Sequence, residues 1–104
     1  MITYNVVITS NAESDLQGIA TYIAKELREP LKAQMLLSKI GAAIMDLEEM
    51  PLRHAIVSDD TLALQGIRKL IVDNYIVFYV VSDMEKTVTI IRTLLSRRNW
   101  LNLL

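Results

Sequence analysis

The sequence predicts an α+β fold: one antiparallel β-sheet built in the order β-α-α-β-β-β, with an N-terminal helical hairpin on one face and a short C-terminal helix as an optional addition. Three observations carry that expectation. Residues 67–95 hold three runs rich in β-branched and aromatic side chains, separated by short polar turns. Residues 10–50 instead repeat apolar side chains every three or four positions, the spacing of a helix face. Only a short break separates the two helical stripes, so the helices must fold back on each other.

Taken in order, Ile2, Tyr4, Val6 and Ile8 alternate loosely and read as a first strand ending at Thr9. Ser10, with Glu13 three residues later, has the pattern of a capping box and opens a helix. Leu16, Ile19, Ile23 and Leu27 form its apolar stripe, within which Gly18 costs about 1 kcal/mol relative to alanine. Arg28-Glu29-Pro30 breaks the stripe, and Pro30 suits the first turn of the next helix, where its missing N–H is not needed. Leu36, Leu37, Ile40, Ile44 and Leu47 continue at helical spacing until Met50-Pro51 stops them. Residues 52–66, with His54, Asp59, Asp60 and Gly66, read as an irregular connector.

The remaining strands are Ile67 to Asp73, Tyr75 to Ser82 and Lys86 to Leu95. Tyr75 to Val81 is apolar on both faces and carries neither charge nor proline. At a sheet edge it would invite aggregation, so it is expected in the interior of the sheet. In the last run Val88, Ile90 and Leu94 are expected on one face and Thr87, Thr89 and Thr93 on the other, which leaves that other face at least partly polar. A helical hairpin returns the chain to the end of the sheet it left, which would set the first strand beside the Ile67 strand and antiparallel to it.

A chain of 104 residues is expected to form a single domain, residues 1–104, with its own core. Its mean hydropathy of +0.30 is high for so small a soluble protein, which points to apolar surface covered by a partner. The apolar runs are far shorter than a membrane span and the N-terminus lacks the features of a secretory signal, so a cytoplasmic protein is expected. The absence of cysteine agrees with that compartment and excludes a thiol nucleophile or cysteine-bound metal; a single histidine, His54, argues against a histidine-rich metal site. No metal and no cofactor are expected. Charge is uneven: residues 1–60 hold five Lys/Arg against nine Asp/Glu and residues 61–104 six against three, so the halves carry about −4 and +3. An acidic partner or a phosphate backbone would be steered to the basic half, unless both halves are simply solvated.

Asp15-Leu16 with Ile19 and Tyr22-Ile23, Pro30 with Ala33, and Leu47 with Pro51 follow one another along the helical half. Gly66-Ile67-Arg68, Tyr75 with Phe78-Tyr79, Ile90-Ile91-Arg92, and Arg97-Arg98-Asn99-Trp100 with Leu103-Leu104 follow along the other. In order and spacing this series resembles the RelE/ParE toxins of bacterial type II toxin–antitoxin pairs over nearly the whole chain, and the ParE-like branch most of all. The resemblance implies the RelE/ParE-like fold and a toxin that arrests growth until a cognate antitoxin, encoded beside it, wraps over it as a hetero-oligomer. Plasmid stabilisation and stress response are the implied settings. RelE-like members cut messenger RNA on the ribosome, whereas ParE-like members poison DNA gyrase.

Chemistry separates those outcomes in part. Metal-free RNA cleavage needs a base for the 2′-OH, cations for the crowded phosphate and a proton for the leaving oxygen. Where RelE-like nucleases commonly carry an arginine after the tyrosine of the second meander strand, this chain has Ile76; where many relatives carry His-Gly after the third strand, it has Leu95-Ser96. Gyrase inhibition therefore ranks first, ribosome-dependent mRNA cleavage second, and a degenerate toxin that only binds its antitoxin third.

Arg68, Lys69, Arg92, Arg97, Arg98 and Trp100 are the candidate contacts to target or antitoxin, expected on one rim of the sheet. Tyr75 and Arg92 are the weak candidates for catalysis, with Tyr79 beside them, although arginine cannot act as a base and tyrosine is a poor one without activation. Plain structural roles compete with each. Arg92 shares strand parity with Val88, Ile90 and Leu94 and reads equally as a partly buried, paired arginine. Tyr75 and Tyr79 read first as sheet aromatics. Arg68 and Lys69 are neighbours on a strand, so at most one can face a shared site. Trp100, Leu103 and Leu104 read as a packing anchor, and His54 as an exposed or locally bonded residue.

Overall fold

In the computed structural model the chain runs β1 (Asn5–Ile8), α1 (Ser10–Thr21), α2 (Pro30–Met45), α3 (Asp60–Leu64), β2 (Arg68–Val72), β3 (Tyr75–Ser82) and β4 (Thr87–Leu95). Residues 2–98 and 100–104 are described, Asn102 by its backbone alone; Met1, and Asn99 of the closing Arg-Arg-Asn-Trp motif, lie outside the described residues. A single π-helical turn, Tyr22–Glu26, extends α1. Short 3₁₀ turns follow at Asp46–Glu48, Pro51–Arg53 and Trp100–Asn102, the last standing where a short C-terminal helix was the option.

The helix start differs by one residue from the capping-box reading. Thr9 is the N-cap: its Oγ1 accepts the Ala12 N–H at 3.2 Å and donates to the Ile90 carbonyl at 2.9 Å. One hydroxyl thereby opens the helix and ties it to β4. At the far end Arg28 takes a left-handed φ of 54° and reverses the chain into Pro30, which opens α2 as its composition predicts.

The sheet has the order β1-β4-β3-β2. β3 lies inside it, flanked by antiparallel β2 and β4, as its two apolar faces require. The expected neighbour of β1 is corrected: β1 pairs with β4, in parallel, and the sheet is mixed. The cause is the width of the hairpin. Two packed helices sit about 8–10 Å apart and strands about 4.8 Å apart. With α1 on β4 and α2 reaching β2, the hairpin carries the chain across the sheet instead of back to its start. Residues 55–57 then pass along the outside of β2 before the chain enters it. Tyr4, whose hydroxyl donates to Asp83 at 2.6 Å, fastens the β1 end to the β3–β4 turn.

The alternation expected for β4 is also corrected. Ile90 pairs with Tyr79 and Arg92 with Phe78, so Ile91 is an extra residue, a β-bulge. Such an insertion reverses parity. Val88 and Ile90 face the helices, while Leu94 packs with Ile76 and Phe78 on the other side. The middle of that second face is apolar and covered by the supposed irregular connector and the C-terminal tail, while Thr87 and Thr89 keep it partly polar towards the β3–β4 turn, as expected. Val57, Leu62 of α3, Trp100, Leu103 and Leu104 pack there. Asp59 caps α3 by accepting the Leu62 N–H at 3.0 Å, the local reason the connector contains a helix at all.

Candidate functional site

At the end of β4 the chain turns through Ser96, Arg97 and Arg98 into the tail. The Ser96 N–H donates to the Asn74 carbonyl at 2.8 Å and the Arg98 N–H to the Leu95 carbonyl at 2.9 Å, which leaves both arginine side chains exposed. They line an open cleft whose opposite wall is α1 with the π turn, at Asp15, Gly18 and Tyr22, and whose base includes Tyr75 and Thr93.

Arg92 is bound into this region. Its Nε and Nη2 donate to the two oxygens of Asp15 at 2.7 and 2.8 Å, and its Nη1 donates to the Leu103 carbonyl at 3.0 Å. The Thr93 N–H adds a third bond to Asp15 at 3.0 Å. Hydrogen bonding to that carboxylate raises the Arg92 pKa, against the opposing effect of burial. Sequence reasoning missed Asp15 as a partner. An acid inside a helical stripe was its only signal, and Arg92 lies 77 positions away.

The six candidate contacts do not share one rim. Arg68 starts β2 opposite Tyr79, whereas β4 ends opposite Tyr75, four residues or about 13 Å further along β3. Arg68 is also engaged, donating from Nη1 to the carbonyls of His54 at 2.6 Å and Leu52 at 3.2 Å. Lys69 faces the other way, in one cross-strand row with Phe78 and Arg92. Trp100 leans on Phe78 with ring centroids 5.0 Å apart. Arg92, Arg97, Arg98 and Trp100 thus belong to the tail region, and Arg68 belongs to the connector.

Proton chemistry in this region is limited. Tyr79 is fully buried, donates its hydroxyl to the Pro51 carbonyl at 2.7 Å, and has its pKa pushed up to about 12 by burial, despite the pull of Arg68 and Arg53. Burial, then neighbouring Tyr22, raises Tyr75 above its ordinary value. Asp15 has both oxygens occupied by three N–H donors. His54 lies edge-on to Tyr79 at 6.4 Å, outside the cleft, and burial followed by the charge of Arg53 lowers its pKa. Ile76, in the place of the nuclease arginine, is buried beneath the tail. Among the described residues no three acidic or histidine side chains converge as a metal site, and no helix is long and apolar enough to cross a membrane.

The family model for the ParE toxin of the type II toxin-antitoxin system parDE matches residues 6–100. Among solved structures the chain is similar to one from the chromosomal ParDE system of P. aeruginosa, with a TM-score of 0.71 at 20% identity over 89% of this chain and 96% of that one. It is similar also to one from the RelBE2 toxin–antitoxin complex of Mycobacterium tuberculosis, with a TM-score of 0.66 at 24% identity over 88% and 96% of the two chains. The search of curated proteins returned no match. Identities this low speak for a common fold alone, so the sequence match carries the assignment: spanning all three helices and all four strands but for the first residue of β1, it makes the chain a member of the ParE toxin family of type II toxin–antitoxin systems.

Proposed function

We propose that this toxin acts in the cytoplasm by binding DNA gyrase through its C-terminal arginines, without cutting RNA, and that a cognate antitoxin silences it as a hetero-oligomer. The observation that carries the choice of target is the state of the candidate bases. Tyr79 lies outside the cleft, sealed under Pro51 with burial pushing its pKa up to about 12, Tyr75 is raised as well, and both Asp15 oxygens accept N–H donors. A cleaving enzyme needs a group able to take a proton near neutral pH, and cations alone do not supply one. Two exposed arginines beside a partly covered tryptophan do suit a protein surface, where such residues dominate binding energy.

The antitoxin has an apolar surface to cover. Leu31 and Met35 are 74% and 72% exposed on α2, in the same half of the hairpin as exposed Tyr22, which starts the π turn, and Leu27, which ends it as C-cap. Side chains of that size left in water along one stripe are what the high mean hydropathy foreshadows.

The test is direct. Purified toxin is added to a gyrase supercoiling assay and, separately, to translating ribosomes with a labelled message. Inhibition of supercoiling that Arg97→Ala with Arg98→Ala abolishes, with the message intact, is the expected result. Ribosome-dependent cleavage with gyrase unaffected would overturn it.

A further inference from the structure

Among its described residues the tail that presents Arg97, Arg98 and Trp100 contains one 3₁₀ turn and no longer element, so its position is set by the packing of Trp100, Leu103 and Leu104 on the sheet and by the bonds that hold its ends. The near end is held by the Ser96 N–H on the Asn74 carbonyl at 2.8 Å. Near the far end, the Leu103 carbonyl is bound by Arg92 Nη1 at 3.0 Å. That guanidinium is itself fixed by Asp15 on α1, through two parallel bonds of 2.7 and 2.8 Å. A planar guanidinium gripped on two nitrogens cannot rotate without breaking both bonds, so the carboxylate sets the direction in which Nη1 points. Asp15 also accepts the Thr93 N–H, which fixes the height of α1 against β4. The pair is shielded, with the Arg92 and Asp15 side chains 20% and 12% exposed, so losing one partner leaves the other charge poorly solvated.

We propose that Asp15 is a positioning residue of the toxic surface: through Arg92 it holds the C-terminal tail on the second face of the sheet and so fixes where Arg97 and Arg98 are presented. The proposal rests on those two arginines being the target contacts. It also puts control of the basic tail on α1, the helix that continues into the exposed Tyr22 and Leu27. A partner that displaced α1 would loosen the tail without touching it.

Trp100 is the only tryptophan in the chain, so its fluorescence reports the tail alone. Asp15→Asn keeps the size and one accepting oxygen but removes the charge, and Arg92→Lys keeps the charge but has one nitrogen in place of the planar fork whose three nitrogens bond Asp15 and Leu103. Both variants are expected to melt cooperatively, to show red-shifted Trp100 emission with increased acrylamide quenching, and to need about tenfold or more protein for the same gyrase inhibition. Arg97→Ala with Arg98→Ala is expected to lose inhibition while Trp100 keeps its wild-type spectrum. Wild-type emission and quenching in Asp15→Asn, or an exposed Trp100 with undiminished inhibition, would overturn the proposal. If Asp15→Asn does not fold, Arg92→Lys carries the same comparison. A wild-type protein that leaves gyrase untouched would end the gyrase reading, and the Trp100 shift would still decide whether Asp15 holds the tail.

Discussion

The centre of the sheet is buried on both faces, and the two covers are very different. Tyr79 and Phe78, adjacent on β3 and pointing to opposite sides, are both 0% exposed. Above Tyr79 lie helices of 12 and 16 residues, whose Ala12, Ile40 and Ile44, with Leu47 just beyond, form a continuous core with the strands. Above Phe78 lie the five-residue α3 and a tail with a three-residue turn. A helix contributes its contacts cooperatively, whereas a short tail is held by a few separate bonds and can detach without dismantling the sheet. The helical face therefore carries stability, and the tail face carries the part of the molecule that can be moved.

Substitutions on the two faces should break that comparison if it is wrong. Ile44→Ala, at 1% exposure on the buried face of α2, is expected to lower unfolding free energy by about 2–5 kcal/mol in urea titrations, with inhibition per folded molecule unchanged. Trp100→Ala removes a partly covered ring and should cost less, about 1–2 kcal/mol, while inhibition falls out of proportion. Equal stability losses, or a loss of potency confined to Ile44→Ala, would mean that the faces do not divide the work this way.

Tyr79→Phe sharpens the comparison on the helical face. It leaves the Pro51 carbonyl without its buried donor and is expected to cost about 1–2 kcal/mol near neutral pH. A pH signature goes with it. Because the folded-state pKa, about 12, lies above the unfolded value of 10.0, the contribution of this group is complete below pH 10.0 and is lost as pH rises towards about 12. Denaturant titrations across that window should show wild-type stability falling more steeply than that of Tyr79→Phe.

The same division governs what could be read from the sequence. The helical hairpin was legible because Leu36, Ile40, Ile44 and Leu47 repeat every three or four residues, and the interior place of β3 because Tyr75 to Val81 offers no polar face. The pairing of β1 was not, since a hairpin's connectivity does not say which way its width carries the chain. Ile91 hid the bulge: with Ile90 and Ile91 both apolar, nothing in composition marks which one leaves the ladder. The tail face was least legible. Its covers are short and aperiodic, and the Asp15–Arg92 pair joins residues 77 apart through geometry that exists only once α1 lies on β4. A paired Arg92 was one of two equal readings; its partner was missed, and the strand parity behind it is broken by the bulge.

The smallest expected effect lies on the border of the two regions, at Gly18. It sits in α1, where glycine destabilises a helix, and it lines the cleft facing Arg97 and Arg98. A Cβ built there meets nothing within 4 Å, so packing does not require the glycine. Gly18→Ala should accordingly raise stability by about 0.5–1 kcal/mol, read as a higher melting temperature. The methyl group would stand on the open wall of the cleft. If the target enters between α1 and the arginines, inhibition should weaken a few-fold even as the protein becomes harder to unfold. That opposition of signs is the expected outcome, because a helix optimised for stability alone would carry alanine at this position. Higher stability with unchanged potency would instead move the contact to the outer side of the tail, away from α1.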